Sequence, residues 1–230
     1  MAPPGEAGTS LLGRRRVREN LMQGAIFVGL GLLSVLFLLP MLWMLSTSLK
    51  PIEGTMKMPP SFIPSPPLWG NYAEAVSAIP FFKYFQNTVI VCVLGMAGTI
   101  VSSGMVAYGF AFLRWPGRNT FFWLTVSTMM VPFPVIMVPL YGVFRSLGMI
   151  GTLSPLWVPA WFGSAWNIFL MRQFFLGIPK DLLDAARIDG CSEWQIFWRV
   201  VLPLAKPVVI VVGLFHVIWA WNDFLGPLLY

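Results

Sequence analysis

Charged side chains are scarce in this sequence. They make up 10% of its 230 residues, while hydrophobic residues make up 57%. Soluble domains carry about 25% charged residues, because their surfaces must be wetted by water. A chain with so little charge cannot cover a water-facing surface, and a mean hydropathy of +0.74 points the same way. The composition therefore excludes an ordinary soluble domain and predicts an integral membrane protein.

Groups that carry out catalysis or bind metals are equally few. The chain has one histidine, His216, and two cysteines. Cys92 and Cys191 lie far apart in a way that fits no metal or redox spacing, which predicts two free thiols. No lysine sits in the G-x4-G-K-[S/T] loop that cradles nucleotide phosphates. We therefore expect no enzymatic activity, no catalytic residue, no metal and no cofactor in this chain.

Long apolar runs fill most of the sequence. A helix of about 20 apolar residues crosses the hydrocarbon of a bilayer, and five segments meet this requirement, at about 22–45, 88–113, 120–144, 155–178 and 204–221. We therefore predict an all-α integral membrane protein, a multi-span helical bundle with five spans over residues 21–230.

A basic cluster precedes the first run and indicates its orientation. It consists of Arg14, Arg15, Arg16 and Arg18, and such a cluster beside a span is typical of the cytoplasmic side. A cleavable signal peptide is the alternative, but its apolar core would be shorter and a small-x-small cleavage site would follow. We predict that the chain lies in the plasma membrane and that residues 1–20 form its cytoplasmic N-terminal tail.

Prolines and small residues mark two further features. The external loop over 46–86 holds seven prolines and is predicted to be extended for much of its length, either docking a partner or acting as a stiff connector. Ser103, Ala107 and Ala111 form an i, i+4 row that predicts close helix packing. The prolines of the third and fourth spans predict either a bend beside a pathway or an ordinary kink; they are Pro132, Pro134, Pro139, Pro155 and Pro159.

One short block concentrates the charge. Residues 180–207 hold eight of the 24 charged residues. Pro179 suits the first turn of a helix over 180–189, in which Asp184 and Arg187 are spaced to pair. Gly190 is predicted to end this helix in a left-handed conformation.

A second helix-start signal follows at once. Ser192 and Gln195 form an S-x-x-Q capping box. The next helix carries a largely aromatic face that is predicted to lie against the membrane interface; this face consists of Trp194, Phe197, Trp198 and Val201. Leu202 and Pro203 precede the return into the fifth span. The block is therefore predicted to be a helical elbow, either a docking element for a partner or an inert connector.

The elbow resembles a known loop. The pattern D-A-A-x3-G-x9-V-x-L-P, formed by Asp184, Ala185, Ala186, Gly190, Val200, Leu202 and Pro203, is similar to the E-A-A-x3-G-x9-I-x-L-P loop of the membrane subunits of binding-protein-dependent ABC importers. VAYGFAFLRWPGR and AWNDFLGPL also resemble the sugar-importer branch, in particular its maltose-type second permease.

The resemblance implies a type I ABC importer permease, which forms half of the pathway for a mono- or oligosaccharide. It implies a second permease, an ATPase dimer that binds the ATP, and an extracytoplasmic solute-binding protein as partners. It also implies that the elbow region 180–203 is a coupling helix. In that family the acidic residue, here Asp184, faces a basic residue of the ATPase, and Ala185, Ala186, Arg187, Asp189 and Gly190 lie beside it.

The family has six spans with both termini inside. The resemblance therefore implies a C-terminally incomplete transmembrane domain at Tyr230. A glycerol-phosphate permease of the same class is an alternative. A secondary transporter is another alternative, although it would need carboxylates at midplane depth, and every acidic residue here falls outside the five predicted spans.

Three polar residues in the spans or at a span end are candidates for the substrate pathway. His216 either faces the pathway or bonds to a neighbouring helix, and Asn167 is comparably placed. Asn222 either contributes to a gate or caps the end of its helix.

Overall fold

The computed structural model describes residues 7–230, with side chains from residue 19 onward. The side chains of the basic cluster Arg14, Arg15, Arg16 and Arg18 and all of residues 1–6 lie outside the described residues. Within the described range the chain is helical with irregular connections and has no strand, which confirms the all-α prediction. It divides into two compact units, Met1–Phe81 and Phe82–Tyr230.

The first unit contains one long helix and a compact loop. Helix α1 runs over Ala7–Ser48, so the helix begins well before the predicted start of the first span. Helices α2 (Ile52–Thr55) and α3 (Gly70–Ala78) interrupt the predicted extended loop. The proline-rich stretch between them is irregular. The side-chain amide of Asn71, at the start of α3, donates to the carbonyl oxygens of Ser48 and Lys50 at 2.9 Å each, so that α3 lies against the end of α1.

The second unit contains the remaining helices. They are α4 (Phe81–Ala111), α5 (Arg118–Ser127), α6 (Phe133–Ser146), α7 (Ser154–Trp157), α8 (Ala165–Phe175), α9 (Lys180–Ile188), α10 (Glu193–Ile196), α11 (Leu202–Leu204), α12 (Lys206–Trp221) and α13 (Leu225–Leu229). Short 3-10 turns lie at Thr128–Met130 and Val158–Phe162, and a π-turn lies at Phe197–Val201.

The helix geometry supports fewer uninterrupted spans than the five predicted. Two described helices are long and apolar enough to cross a membrane, Glu19–Ser48 and Phe81–Ala111. Two further pairs qualify only if a bent pair counts as one span. Arg118–Met130 meets Phe133–Ser146 at 100°, and Glu193–Leu204 meets Lys206–Trp221 at 82°. The number of spans shown is thus two, or up to four.

Prolines and a glycine explain the interruptions. The 100° bend falls at Pro132, which has an extended backbone and immediately precedes α6. Because proline has no N–H to donate, it cannot continue the helical hydrogen bonds of the preceding turn. The predicted span at 155–178 is not one helix. Pro155 and Pro159 each start a new short element, and Gly163 has a φ of +87° that ends the 3-10 turn before α8.

The small-residue row of α4 is closely packed, as predicted, and the packing lies within this chain and not against another subunit. Ser103 and Ala107 are fully buried. Ser102 donates from its hydroxyl to the carbonyl oxygen of Ala160 at 3.0 Å, and a Cβ on Gly98 would overlap the Trp161 ring. These contacts fix α4 against the Val158–Phe162 turn, and they depend on residues small enough to let backbones approach.

Candidate functional site

The elbow predicted from the charge block is present and begins with α9. Helix α9 runs over Lys180–Ile188. Pro179 is its N-cap and thus lies one position before the first turn, in which it was predicted. Gly190 has a φ of +82°, which confirms the left-handed end. The amide of Gly190 donates to the Arg187 carbonyl oxygen and that of Cys191 to the Ala186 carbonyl oxygen, both at 3.0 Å. This pair of bonds is a Schellman motif, which satisfies carbonyls that would otherwise lack donors.

The second arm starts at the predicted capping box. The Gln195 amide donates to the Ser192 hydroxyl at 3.3 Å, and the Ser192 amide donates to the Gln195 side-chain oxygen at 2.8 Å. Helix α10 is short, because a π-turn follows in which the Leu202 amide donates to the Phe197 carbonyl oxygen. Pro203 has no N–H to extend the ladder, and the chain bends into α12 at Ala205.

The π-turn corrects one prediction about the second arm. Trp194 and Trp198 are 60% and 37% exposed, as expected of an interfacial face. Phe197 and Val201, predicted to share that face, are buried at 2% and 0% exposure. These two side chains, at the first and last positions of the π-turn, lie on the inner side of the elbow.

The inner face of the elbow belongs to the main hydrophobic core. Leu183 of α9, Ile196 of α10, and Phe197 and Val201 of the π-turn lie in one buried cluster with residues of α4, α8 and α12, among them Tyr108, Met171, Phe175, Val208 and Val212. Leu202 packs against the same cluster. A connector exposed to water would have no such inner face. The elbow is therefore built into the helical bundle.

A polar clasp joins the two arms to α4. The Arg187 guanidinium donates from Nε to Glu193 Oε1 at 2.8 Å and from Nη2 to Glu193 Oε2 at 3.3 Å. Its Nη1 donates to Asp184 Oδ1 at 2.7 Å, which confirms the predicted pair. The hydroxyl of Tyr108, on α4, donates to Glu193 Oε2.

The clasp shifts the ionisation of its charged members. Its hydrogen bonds to Glu193 raise the pKa of Arg187 further above its usual range, and the same bonds lower the pKa of the Glu193 carboxyl. Both groups are therefore charged at neutral pH, as the two-point geometry requires.

The outer face of α9 carries short side chains and one exposed apolar residue. Asp184, Ala185 and Ile188 point away from the core, and Ile188 is 87% exposed. Ala186 lies on the inner side and is buried. Asp189 caps α9 and is exposed, and Pro203 is exposed as well. The outer face thus has little side-chain bulk around Ala185, its opposite side is packed in the core, and the Asp184 carboxylate lies at its edge.

The residues considered for a substrate pathway do not come together. The His216 Nδ1 lies 3.1 Å from the Thr99 hydroxyl of α4, and its Nε2 is buried without a hydrogen-bond partner. Asn222 donates from its side-chain amide to the Ile218 carbonyl oxygen at 2.7 Å, which is a contact with its own helix. The Asn167 side-chain oxygen is buried and unpaired. His216 thus contacts Thr99 of α4, and Asn222 contacts the end of its own helix; a role of either residue in the pathway stays a prediction.

Three residues of the site were missed by sequence reasoning. Glu193 was counted only as part of the charge block, and Tyr108 was not considered. The two are 85 positions apart, so no local spacing links them. Ile188 was also missed, although its place four residues after Asp184 puts it on the same helical face.

The fold and the elbow together define a class of protein. It is an all-helical membrane subunit whose charged helical elbow packs its inner face into the main hydrophobic core. Residues 100–230 match the family model described as "Binding-protein-dependent transport system inner membrane component". The chain belongs to this family, and it is a permease component of such a transport system.

Similar proteins come from several bacteria. The arabinooligosaccharides transport system permease protein AraQ of Bacillus subtilis (strain 168) is 34% identical over 86% of this chain and 71% of its own length. The sn-glycerol-3-phosphate transport system permease protein UgpE of Yersinia enterocolitica is 36% identical over 75% of this chain and 63% of its own length. The diacetylchitobiose uptake system permease protein NgcG of Streptomyces coelicolor is 32% identical over 84% and 64%.

A solved structure shares the fold. It is a bacterial ABC transporter involved in the import of the acidic polysaccharide alginate, with a TM-score of 0.76 and 25% sequence identity. The similarity covers 96% of this chain and 75% of that one. This agreement extends the family assignment from the matched residues to the arrangement of the helices.

Proposed function

We propose that this chain is one of two permease subunits of an ATP-driven sugar importer. In this proposal it forms half of the translocation pathway, receives its sugar from an extracytoplasmic solute-binding protein, and binds no ATP itself. An ATPase dimer docks on the elbow and supplies the energy. The two similar permeases that are named for oligosaccharide or disaccharide uptake support a sugar as the substrate.

The observation that carries the proposal is the rigid elbow at the position of the family loop. Asp184, Ala185 and Gly190 of the loop pattern coincide with the outer face of α9 and with its left-handed end. Because Ala185 has only a methyl group, a partner surface can approach the helix closely there. The carboxylate of Asp184 is 62% exposed while it pairs with Arg187, so it can accept a further bond from a cationic group of the ATPase.

The orientation follows from the same assignment. The elbow and the N-terminal basic cluster lie on the cytoplasmic side, and the chain crosses the plasma membrane five times. In this arrangement the third crossing is bent at Pro132, the fourth combines the short elements between Ser154 and Phe175, and the fifth is Lys206–Trp221. Irregular backbone at membrane depth must be lined by protein or water, which suits a place beside a pathway.

Co-purification from native membranes tests the docking. We expect the tagged chain to retain an ATPase, a second permease and a solute-binding protein. Ala185→Trp adds bulk to the outer face, and an overpacked contact costs about 1–3 kcal/mol, so about tenfold less ATPase should be retained. Ala75→Trp is the matched control, because Ala75 is also exposed and lies on α3.

The outcomes separate docking from substrate. An intact wild-type complex without an ATPase would refute the proposed function. Equal retention by Ala185→Trp and wild type would refute docking at α9. The co-purified binding protein, titrated with arabino-oligosaccharide, diacetylchitobiose and sn-glycerol-3-phosphate, should bind a sugar. Binding of sn-glycerol-3-phosphate alone would favour the second candidate, which the 36% identity to the glycerol-phosphate permease supports.

A further inference from the structure

A cleft opens between the start of α5 and the elbow. Its volume is about 650 Å³, and its walls include apolar residues of the α4–α5 turn and of α9. Six charged side chains line it, namely Arg114, Arg118, Lys180, Arg187, Asp184 and Glu193. Four of them are cationic and two are acidic, so the cleft carries a formal excess of two positive charges.

The acidic members cannot balance this excess. Asp184 and Glu193 both pair with Arg187. Within the part of the chain whose side chains are described, Arg114 and Lys180 make no ion pair and no side-chain hydrogen bond. Arg118 uses one amino group on the Leu113 carbonyl oxygen at 3.1 Å, which leaves its other donors available. Cations gathered in a concave site attract an anion more strongly than cations spread on a flat surface.

Aromatic residues indicate the depth of the cleft in a membrane. Trp115 lies in the turn beside Arg114, is 37% exposed, and donates from its indole N–H to the Gly109 carbonyl oxygen at 3.3 Å. Trp194, on the elbow beside Glu193, is 60% exposed. Tryptophan collects at the level of lipid headgroups. The cleft between these residues is therefore expected at headgroup level.

We propose that this cleft binds a phosphate group, with Arg114 and Lys180 as its main cationic contacts and the headgroup of an anionic phospholipid as its source. Basic pockets on the cytoplasmic side of helical membrane proteins are suited to such headgroups. The proposal rests on the cytoplasmic placement of the elbow but not on transport. A free phosphate ester has the same chemistry and is separated from the lipid by the test.

The test measures lipid binding to the full chain with the subunits that co-purify with it. The complex is placed in nanodiscs of phosphatidylcholine, and fluorescent phosphatidylglycerol is titrated in. Each basic residue near an anionic lipid contributes about fivefold in affinity, so Arg114→Gln with Lys180→Gln should weaken binding about thirtyfold. The matched control is Arg199→Gln with Lys206→Gln, which removes two exposed cations, of the π-turn and of the start of α12, that do not line the cleft. Arg114→Lys with Lys180→Arg keeps the charge and should restore binding.

Each outcome decides the proposal. Selective loss in the cleft variant, without competition by inorganic phosphate, supports a lipid headgroup. Competition by inorganic phosphate supports the phosphate site with a free anion as its source. Equal loss in the cleft and control variants reports general surface charge and overturns the proposal. Unchanged lipid binding overturns it as well, and loss of the ATPase from that variant would identify the cleft as a protein contact. Loss of transport does not enter the measurement, so the proposed function is tested separately.

Discussion

The left-handed glycine of the elbow offers a graded test of its rigidity. A Cβ at Gly190 would meet no atom within 4 Å, so a substitution there changes backbone strain without a steric clash. Its φ of +82° lies in the left-handed region, which costs an ordinary L-residue about 1–2 kcal/mol. We expect Gly190→Ala to cost about 1 kcal/mol and Gly190→Val about 2 kcal/mol, since β-branched residues fit this region worst. Gly190→Asn should cost less than either, because asparagine tolerates it.

The assay is hydrogen exchange at the amides of the Schellman motif, combined with ATP-dependent uptake. A cost of 2 kcal/mol raises the open population about thirtyfold, so the Cys191 amide should exchange about thirtyfold faster in Gly190→Val. Uptake should fall in the same order as exchange rises, with membrane insertion unchanged. Gly148→Val is the control, since Gly148 has a φ of +67° and open space around it. Equal exchange for the Asn and Val variants would refute the strain argument, and normal uptake by Gly190→Val would refute the need for a rigid elbow.

Three further perturbations address the clasp, the packing of α4 against α12, and the docking of the elbow. Glu193→Gln should destabilise the chain by about 1 kcal/mol at neutral pH, because the pair is partly exposed. Because the folded state lowers the pKa of Glu193, the stability that its carboxylate contributes is present above the ordinary glutamate pKa and is lost as the pH falls through the folded-state pKa. The melting temperatures of Glu193→Gln and wild type should therefore converge in acid. A difference that stays constant with pH would contradict the clasp. A methyl group added by Gly95→Ala would overlap the His216 ring and should lower the stability by about 1–3 kcal/mol. The methyl group of Gly109→Ala meets no atom and should be neutral or stabilising in the same thermal assay. Equal effects of the two variants would contradict the packing of α4 against His216. Cys191 should form a crosslink with an engineered cysteine on the ATPase surface that is proposed to dock on the elbow, and the absence of a crosslink at every position of that surface would exclude docking at this elbow.

The elbow was predictable because its signals are local. A capping box needs only Ser192 and Gln195, three positions apart, and a helix end needs only a glycine where the left-handed region is required. Both were found where the sequence placed them. The pairing of Asp184 with Arg187 is local in the same sense. Short-range geometry of this kind depends little on the rest of the fold.

The contacts that anchor the elbow were not predictable from spacing. Tyr108 meets Glu193 through the tertiary fold alone, and a tyrosine near the end of an apolar helix is ordinarily read as part of the interface. The π-turn was also missed, and Phe197 and Val201, its first and last residues, lie in the core. The fourth predicted span is divided into short elements, because hydropathy measures apolar length and ignores the breaks at Pro159 and Gly163.

The two bends of the chain differ in how firmly the core holds them. Ala205, at the 82° bend, is fully buried in the main cluster, so α12 cannot change its angle to the elbow without opening that core. At the 100° bend, Met130, Val131 and Phe133 are 85%, 48% and 42% exposed. Segments with few buried contacts deform at the least cost. Because the elbow shares one core with α4, α8 and α12, a pull on the outer face of α9 would displace these helices as one body, and we expect the bend at Pro132 to change its angle.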